Sequence, residues 1–487
     1  MNAFDGRVPA VLLRLDRNPF HHGTLGAVRS LGRKGVEVHA VVEAGGGPVG
    51  RSRYLRAVHA GPEGGLDPEA PEALLECLVG VSERIGRPAV LVAMDDMSAI
   101  AVSRVAPMLT DRFRIPHQPD DLPARVADKA ELSRLCARWG VPHPETVVPA
   151  SGAEAARAAW RLGLPVVAKW SRPWLLPAGT GLRSTTLVNT AADARRLYER
   201  SAEAGSRLLL QRFLPAGPDT DWFFHGAFAR GGRPLLAGSG RKELSWPVRT
   251  GLTAVGRWLP DPAVEESALR LAQRLGYQGI LDLDFRRDEC GTFRLVDFNP
   301  RPGAQFRLFA DDSGLDVVQA VYLDLTGQRV PTPTGGPGRV FVAENYALLA
   351  AVRGRALPRR AAAVPAQAQG PAGPAGAGSG RRGSEARPGP VRVLPRGERG
   401  RVETAWFALD DLWPFLAMLG ALLRRGFGKG ARALRGVPAQ GRRTVRAVRA
   451  PRQRGGERSW PRSQPPGPAA GQAPPGASAE PDELVSR

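Results

Sequence analysis

The sequence predicts a mixed α/β (α+β) protein of several units that ends in a basic tail, and three observations predict it. Short apolar runs at 8–15 (VPAVLLRL), 36–42 (VEVHAVV) and 89–96 (AVLVAMDD) alternate with helix-like segments, the signature of a parallel sheet. From 221 onward β-rich runs are joined by glycine turns. From 361 to 400, and again from 431, Ala, Pro, Gly and Arg dominate, and such a composition buries too little apolar surface to fold a core.

Taken in order, residues 1–125 read as an N-terminal parallel α/β domain whose first helix, AVRSLGRKG, is capped by Gly35. Residues 126–145 (VADKAELSRLCARWGVPHPE) read as an amphipathic helix stopped by Gly140 and Pro142. A small α/β lid follows over about 145–210, with strand LPVVAKW at 164–170, a loop at 177–183, TTLV, helix ADARRLYERSAEAG and strand RLLLQRF at 207–213. DWFFHGAFARGGRPLLAGSGRK predicts a hairpin turning at Gly231 and Gly232. Helix PAVEESALRLAQRLG then leads into strands ILDLDFR (280–286) and TFRLVDFN (292–299), joined by a turn at 288–291. Lid and β-rich part together make a unit over 126–330. Residues 331–360 and 401–430 read as its C-terminal extension, 361–400 as a disordered linker and 431–487 as a disordered tail.

Apolar residues make up 43% of the 487, enough for a sizeable core. Charge is uneven. From 331 there are 26 Lys plus Arg against 10 Asp plus Glu, so residues 1–330 keep only +5 of the chain's +21. A basic tail can bind anionic surfaces through phosphate attraction alone. Residues 431–487 hold a single aromatic, Trp460, too little to interleave the arginines as a stacking surface requires, so no specific nucleic acid is expected. Cys77, Cys136 and Cys290 are odd in number, far apart and without zinc spacing, which fits a reducing compartment. The N-terminus lacks a long apolar stretch, and the longest apolar run, 412–423, contains Pro414 and falls short of the ~20 residues that span a bilayer. A cytoplasmic protein is expected.

Arginine outnumbers lysine 63 to five: Lys34, Lys129, Lys169, Lys242 and Lys429. A lysine kept against that bias marks a place for a compact point charge, such as a phosphate contact, rather than a guanidinium fork. Asp282 and Asp284 share one face of their strand, and Asp297 and Asn299 share one face of theirs. If the hairpin register brings the two faces together, hard oxygen ligands converge as magnesium prefers. The competing reading is a solvated row of acids.

The order Lys129, Lys169, LLQRFLPAG and D-x12-D-F-N-P-R-P-G resembles the ATP-grasp superfamily. More narrowly, with GRKELSWP and TLGAVRSLGRKGVEV, it is similar to the carboxylate–amine ligase branch related to D-aspartate ligases. The likeness covers about residues 8–330, and weakly 340–350 and 402–423. It implies ATP and magnesium as cofactors, with manganese as an alternative metal, and small-molecule carboxylate and amine substrates such as amino acids. Dimers are common for the fold, so a homodimer is one expected assembly.

The same resemblance implies that Lys129 and Lys169 touch the nucleotide phosphates. The loop PAGTGLRS, with Gly179 and Gly181, closes over them. Gln211, Arg212, Phe213 and Leu214 form the hinge against adenine, and Asp219 or Asp221, with Asp221 favoured, takes the ribose hydroxyls. Arg241 and Lys242 face the transferred phosphoryl group, and Asp284, Asp297 and Asn299 hold the metal. Arg301 stabilises the acyl phosphate and the tetrahedral intermediate. Two departures stand out: Gln211 replaces the usual hinge acid, and Asp297 replaces the usual Glu.

Other residues keep two readings. His21 and His22, after the first strand, either meet the carboxylate substrate or are plainly exposed. Asp95 and Asp96 either bind an ammonium group or cap a helix. His225 reads as a packed strand residue. Residues 402–423 read as a helix packed on the catalytic unit rather than lying on a membrane, because Asp410 and Asp411 interrupt the apolar face. Alternatives to the ligase are a nucleotide-binding protein tethered by its basic tail to nucleic acid or membrane, and a ligase using a non-amine nucleophile.

Overall fold

The computed structural model describes residues 4–16, 18–42, 46–62, 67, 70–119, 121–177, 179–217, 219–247, 252–356 and 401–435, with backbone alone for 352–356 and 426–435. The linker 361–400 and the tail beyond 435 lie outside the described residues. Met1–Gly430 forms one unit and Ala431–Arg487 another; the account below concerns the first.

Strands β1 (Ala10–Leu13), β2 (Val38–Val42), β3 (Leu55–Ala60), β4 (Ala89–Ala93) and β5 (Phe113–Arg114) form a parallel sheet in the order β3-β2-β1-β4-β5. Every residue of β1 and β2 is buried, as expected of parallel strands covered on both faces. Helix α1 (His22–Gly32) packs on one face; α2 (Glu72–Ile85) and α3 (Asp96–Val105) cover the other through Leu74, Leu78, Val81, Val102 and Val105. Gly35 is not the cap of α1. The helix stops at Gly32, and Gly35, at φ +79°, turns the chain toward β2.

Helices α4 (Leu122–Ala127) and α5 (Lys129–Trp139) lead out of this sheet, and α5 ends on left-handed Gly140 as its sequence predicts. A small sheet follows, formed by β6 (Thr146–Val147), β7 (Val166–Trp170), β8 (Thr185–Val188) and β9 (Leu208–Arg212). Its helices are α6 (Gly152–Leu162), α7 (Ala191–Tyr198) and α8 (Ser201–Ala204).

The largest sheet is built by β10 (Asp221–Ala229), β11 (Arg233–Trp246), β12 (Leu252–Trp258), β13 (Gly279–Arg287), β14 (Phe293–Asn299), β15 (Val340–Val342) and β16 (Val402–Thr404). Helix α9 (Pro262–Leu275), between β12 and β13, packs on the face carrying Phe224, Phe228, Leu281, Leu283 and Phe298. Helix α10 (Val317–Leu325) packs on the opposite face, in a core shared with α1 and β1.

Helix α11 (Glu344–Ala356) follows β15, and α12 (Trp413–Arg435) follows β16. Residues 402–423 are therefore not one helix. They split into a strand, a turn and the start of α12, and that helix runs five residues into the segment expected to be tail.

Candidate active site

Strands β13 and β14 pair with Asp282 opposite Asn299 and Asp284 opposite Asp297. Side chains alternate with a period of two, so all four polar groups lie on one face. The apolar residues between them, Leu281, Leu283 and Phe298, are fully buried under α9, and a slip of one residue would expose them. Hydrophobic burial thus fixes where the acids point. On the neighbouring strand β10, Phe223 lies opposite Asp284 and His225 opposite Asp282.

Three of the five lysines reach this face. Lys129 opens α5, where Asp128 caps the helix by accepting from Ala130 N at 2.9 Å and Glu131 N at 3.2 Å. Its ammonium pairs with Asp297. Lys169, on β7 of the small sheet, donates to the Val296 carbonyl at 2.9 Å. Lys242, on β11, pairs with Asp284 at 2.7 Å. Arg301, just past β14, lies 3.2 Å from both Asp96 and Asp282.

These charges shift one another. Burial works to raise the Asp297 carboxyl, but Lys129 and Lys169 outweigh it and hold Asp297 below the usual carboxylate range. Burial raises Asp284, with Lys242 opposing and Asp282 assisting. Lys242 is desolvated, yet Asp284 raises its pKa above the ordinary value. Burial brings Lys169 down to about 8 against the pull of Asp297. Arg301 stays charged because Asp96, Asp282, Asp284 and Asp297 overcome its desolvation.

Not every sequence-predicted residue joins this group. Arg241 and Lys242 are consecutive on one strand, so only one can face the acids. Arg241 lies opposite Trp222 and pairs with Asp219 and with Glu243 (3.5 Å), away from Asp284. By the same alternation Asp221 joins the acidic face: it lies opposite Arg286, two residues from Asp284, and pairs with it at 2.6 Å. Arg286 also donates to the Leu214 carbonyl at 2.9 Å, tying down the segment that leaves β9. Within that segment Gln211 donates to Thr146 at 3.1 Å and Arg212 pairs with Glu145 at 2.6 Å; Phe213 lies between Arg212 and Leu214. Gly179 and Gly181 adopt φ of +87° and +72° in the loop before β8.

The histidines after β1 are not exposed. His21 caps α1, and His22 is buried among Phe341, Tyr346 and Trp406. Asp95 takes the capping role, accepting from Ser98 N at 2.9 Å, while Asp96 holds Arg301.

Sequence reasoning put Asp282 on the acidic face without a role, kept two readings for Asp96, and gave His225 and Arg286 no part in the site. His225 is buried 2.8 Å from Asp282, and a Cβ on Gly303 would overlap the His225 ring. The period-two spacing of 282, 284 and 286 is the signal that finds two of these four. The other two depend on distant contacts.

Among the described residues, no group of three or more His, Cys, Asp or Glu is placed to cage a metal. With Asp282 held by His225 and Arg301, and Asp221 by Arg286, the face offers Asp284 and Asp297 with the Asn299 amide. That set fits magnesium, which keeps several waters and usually binds through one or two carboxylates together with substrate phosphates.

Among curated proteins, the chain is 26% identical over 244 residues to the carbamoyl phosphate synthase large chain, C-terminal section, of Methanopyrus kandleri, covering 46% of this chain and 43% of that one. It is 26% identical over 223 residues to the D-alanine–D-alanine ligase of Pseudomonas putida, covering 43% of this chain and 66% of that one. The chain thus spans less than half the length of the first of these relatives. Among solved structures, the biotin carboxylase domain of the Hydrogenobacter thermophilus 2-oxoglutarate carboxylase, in complex with MgADP, ADP and bicarbonate, superposes with a TM-score of 0.51 at 17% identity, over 68% of this chain and 73% of that one. No family model matches the chain.

Proposed function

Because the chain has the ATP-grasp fold, we propose that it is an ADP-forming ligase that activates a carboxylate as an acyl phosphate and joins it to an amine. One observation carries this reading: Asp284, Asp297 and Asn299 share a face with Lys129, Lys169 and Lys242. Arriving triphosphate oxygens would draw Lys129 from Asp297 and Lys242 from Asp284 and leave those carboxylates for a metal. The fold and the similarity to ligases support the class of reaction.

A carboxylate is a poor electrophile, and phosphoryl transfer from ATP gives it a good leaving group. Such transfer depends on positioning and on neutralising charge rather than on covalent help from the protein. Asp284, Asp297 and Asn299 would hold magnesium, which when bound neutralises phosphate charge. Lys129 and Lys169 bind the phosphates from the side of the small sheet, and Lys242 meets the transferred group. Asp221, aligned by Arg286, takes the ribose. Arg301, held charged by Asp96 and Asp282, polarises the acyl oxygen and stabilises the oxyanion formed when the amine attacks. The loop with Gly179 and Gly181 closes to keep water from the acyl phosphate. Arg241 takes no part, because its side chain belongs to the other face.

A coupled ADP-release screen of carboxylate and amine pairs tests the reading, with Lys169→Ala and Asp297→Asn as inactive controls. ADP release that needs both substrates is the expected result. Release independent of any amine points instead to another nucleophile. A purified protein with no magnesium-dependent affinity for adenine nucleotide would overturn the assignment.

A further inference from the structure

Of the two acids that interrupt the apolar run before α12, Asp411 is buried, and Asp410 is half-exposed but paired. Asp411 is buried against Arg29 at 2.9 Å, Ser52 Oγ at 2.7 Å and Arg53 N at 2.9 Å. Asp410 holds Arg33 at 2.8 Å and the Tyr54 hydroxyl at 2.7 Å. Residues 405–435 contain no other acid. The apolar side chains around them face outward: Leu409 is 82% exposed, Trp413 69%, Leu423 60% and Leu416 50%.

On α12, Trp413, Leu416 and Leu423 recur at spacings of three and seven, which puts them on one stripe. Met418 is buried in the core with Phe415 and Leu419 partly buried against it, Leu419 at the edge of the stripe, and Arg425 sits 4.8 Å over the Phe20 ring. The stripe runs into dense positive charge: residues 424–462 hold 13 Lys plus Arg and one acid, Glu457.

A helix held by protein on one side, bare and apolar on the other, and followed by clustered bases has the two signals that peripheral membrane attachment needs. We propose that α12 and the turn before it seat this protein on an anionic lipid bilayer. Trp413, Leu416 and Leu423 enter the headgroup boundary, and Arg424, where the basic stretch of the sequence begins, meets lipid phosphates. No helix among the described residues is long and apolar enough to cross a membrane, which accords with a helix lying on the surface. Nucleic acid would engage the bases but leave the leucines in water. A second copy would bring the same surplus of positive charge against this face.

Flotation of the full-length chain tests the proposal, using vesicles of phosphatidylcholine alone or with about a third phosphatidylserine at about 0.1 M salt. Flotation with the anionic vesicles and not the neutral ones is expected. Arg424→Gln/Lys429→Gln/Arg432→Gln should weaken partition about a hundredfold, at roughly fivefold per charge. Leu416→Ser/Leu423→Ser should weaken it at least about tenfold with an unchanged melting temperature, since both side chains are already solvated. Equal partition of these variants and the parent would overturn the proposal. So would binding to a DNA duplex without binding to vesicles, or a dimer that Leu416→Ser/Leu423→Ser dissociates while flotation persists.

Discussion

Asp410 and Asp411 are adjacent, yet their removal should differ about twentyfold or more in effect. The Arg29 and Asp411 side chains are 4% and 1% exposed, while those of Arg33 and Asp410 are 34% and 43% exposed. Asp411→Ala leaves the Arg29 guanidinium buried without a counter-charge, a change that costs about 3–5 kcal/mol. The Trp406 and Asp411 carbonyls still accept from Arg29 at 2.8 and 2.7 Å, which places the cost near the lower end, about 3 kcal/mol. Asp410→Ala removes a solvent-screened pair, for about 1 kcal/mol or less. The Ala405 and Trp406 amides, each donating to Glu344 at 3.0 Å, report release of this segment by hydrogen exchange. Their opening should rise about a hundredfold or more in Asp411→Ala and about fivefold or less in Asp410→Ala. Asp411→Asn, which keeps an acceptor but no charge, should fall between the two. If Asp411→Ala opened the segment no more than Asp410→Ala, the argument from burial would be wrong.

Nucleotide affinity should fall as pH rises through the Lys169 value. That pKa is depressed to about 8, so the ammonium is present below it and lost above it. Near pH 9 about a tenth of the free protein would carry the charge, a tenfold weaker apparent affinity, measured by calorimetry between about pH 7.5 and 9.5. Lys169→Arg should flatten that profile, and a parent profile already flat would refute the assignment. Gly303→Ala drives a Cβ into the His225 ring and to 2.7 Å from the Asp282 carboxyl carbon. About 1–3 kcal/mol of overpacking and loss of the proposed ADP release should appear together in thermal melts and ADP-release assays, and an unchanged melt would count against the packing described. Asp221→Asn should weaken nucleotide binding about tenfold and Asp219→Asn less than about twofold, because only the first shares the acidic face. Equal losses in a binding titration would sink that distinction.

The acidic hairpin is legible in the sequence because period two and a short turn leave few registers, and buried Leu281, Leu283 and Phe298 select among them. Gly140 and Gly276 are legible for a similar local reason: each sits in the left-handed conformation that ends its helix. Arg241 shows where motif reading misleads. Adjacent residues in a motif look like a pair, whereas a strand sends them to opposite faces. The burial of His22 is not written nearby either, since its box comes from residues 341, 346 and 406. Likewise the pairing of Asp410 and Asp411 depends on α1 and on residues 52–54, more than 350 positions away.

The edge strand β16 lies parallel to β15, with Val340 opposite Val402. Side chains rivet it to the rest of the β-rich part: Glu403 to Arg307 and Arg339, and Glu344 to the amides of 405–407. Backbone continuity between 356 and 401 therefore does little of the fastening. Two polypeptides made by cutting the gene within that interval should find each other and complement as a split protein, much as if the chain had never been interrupted.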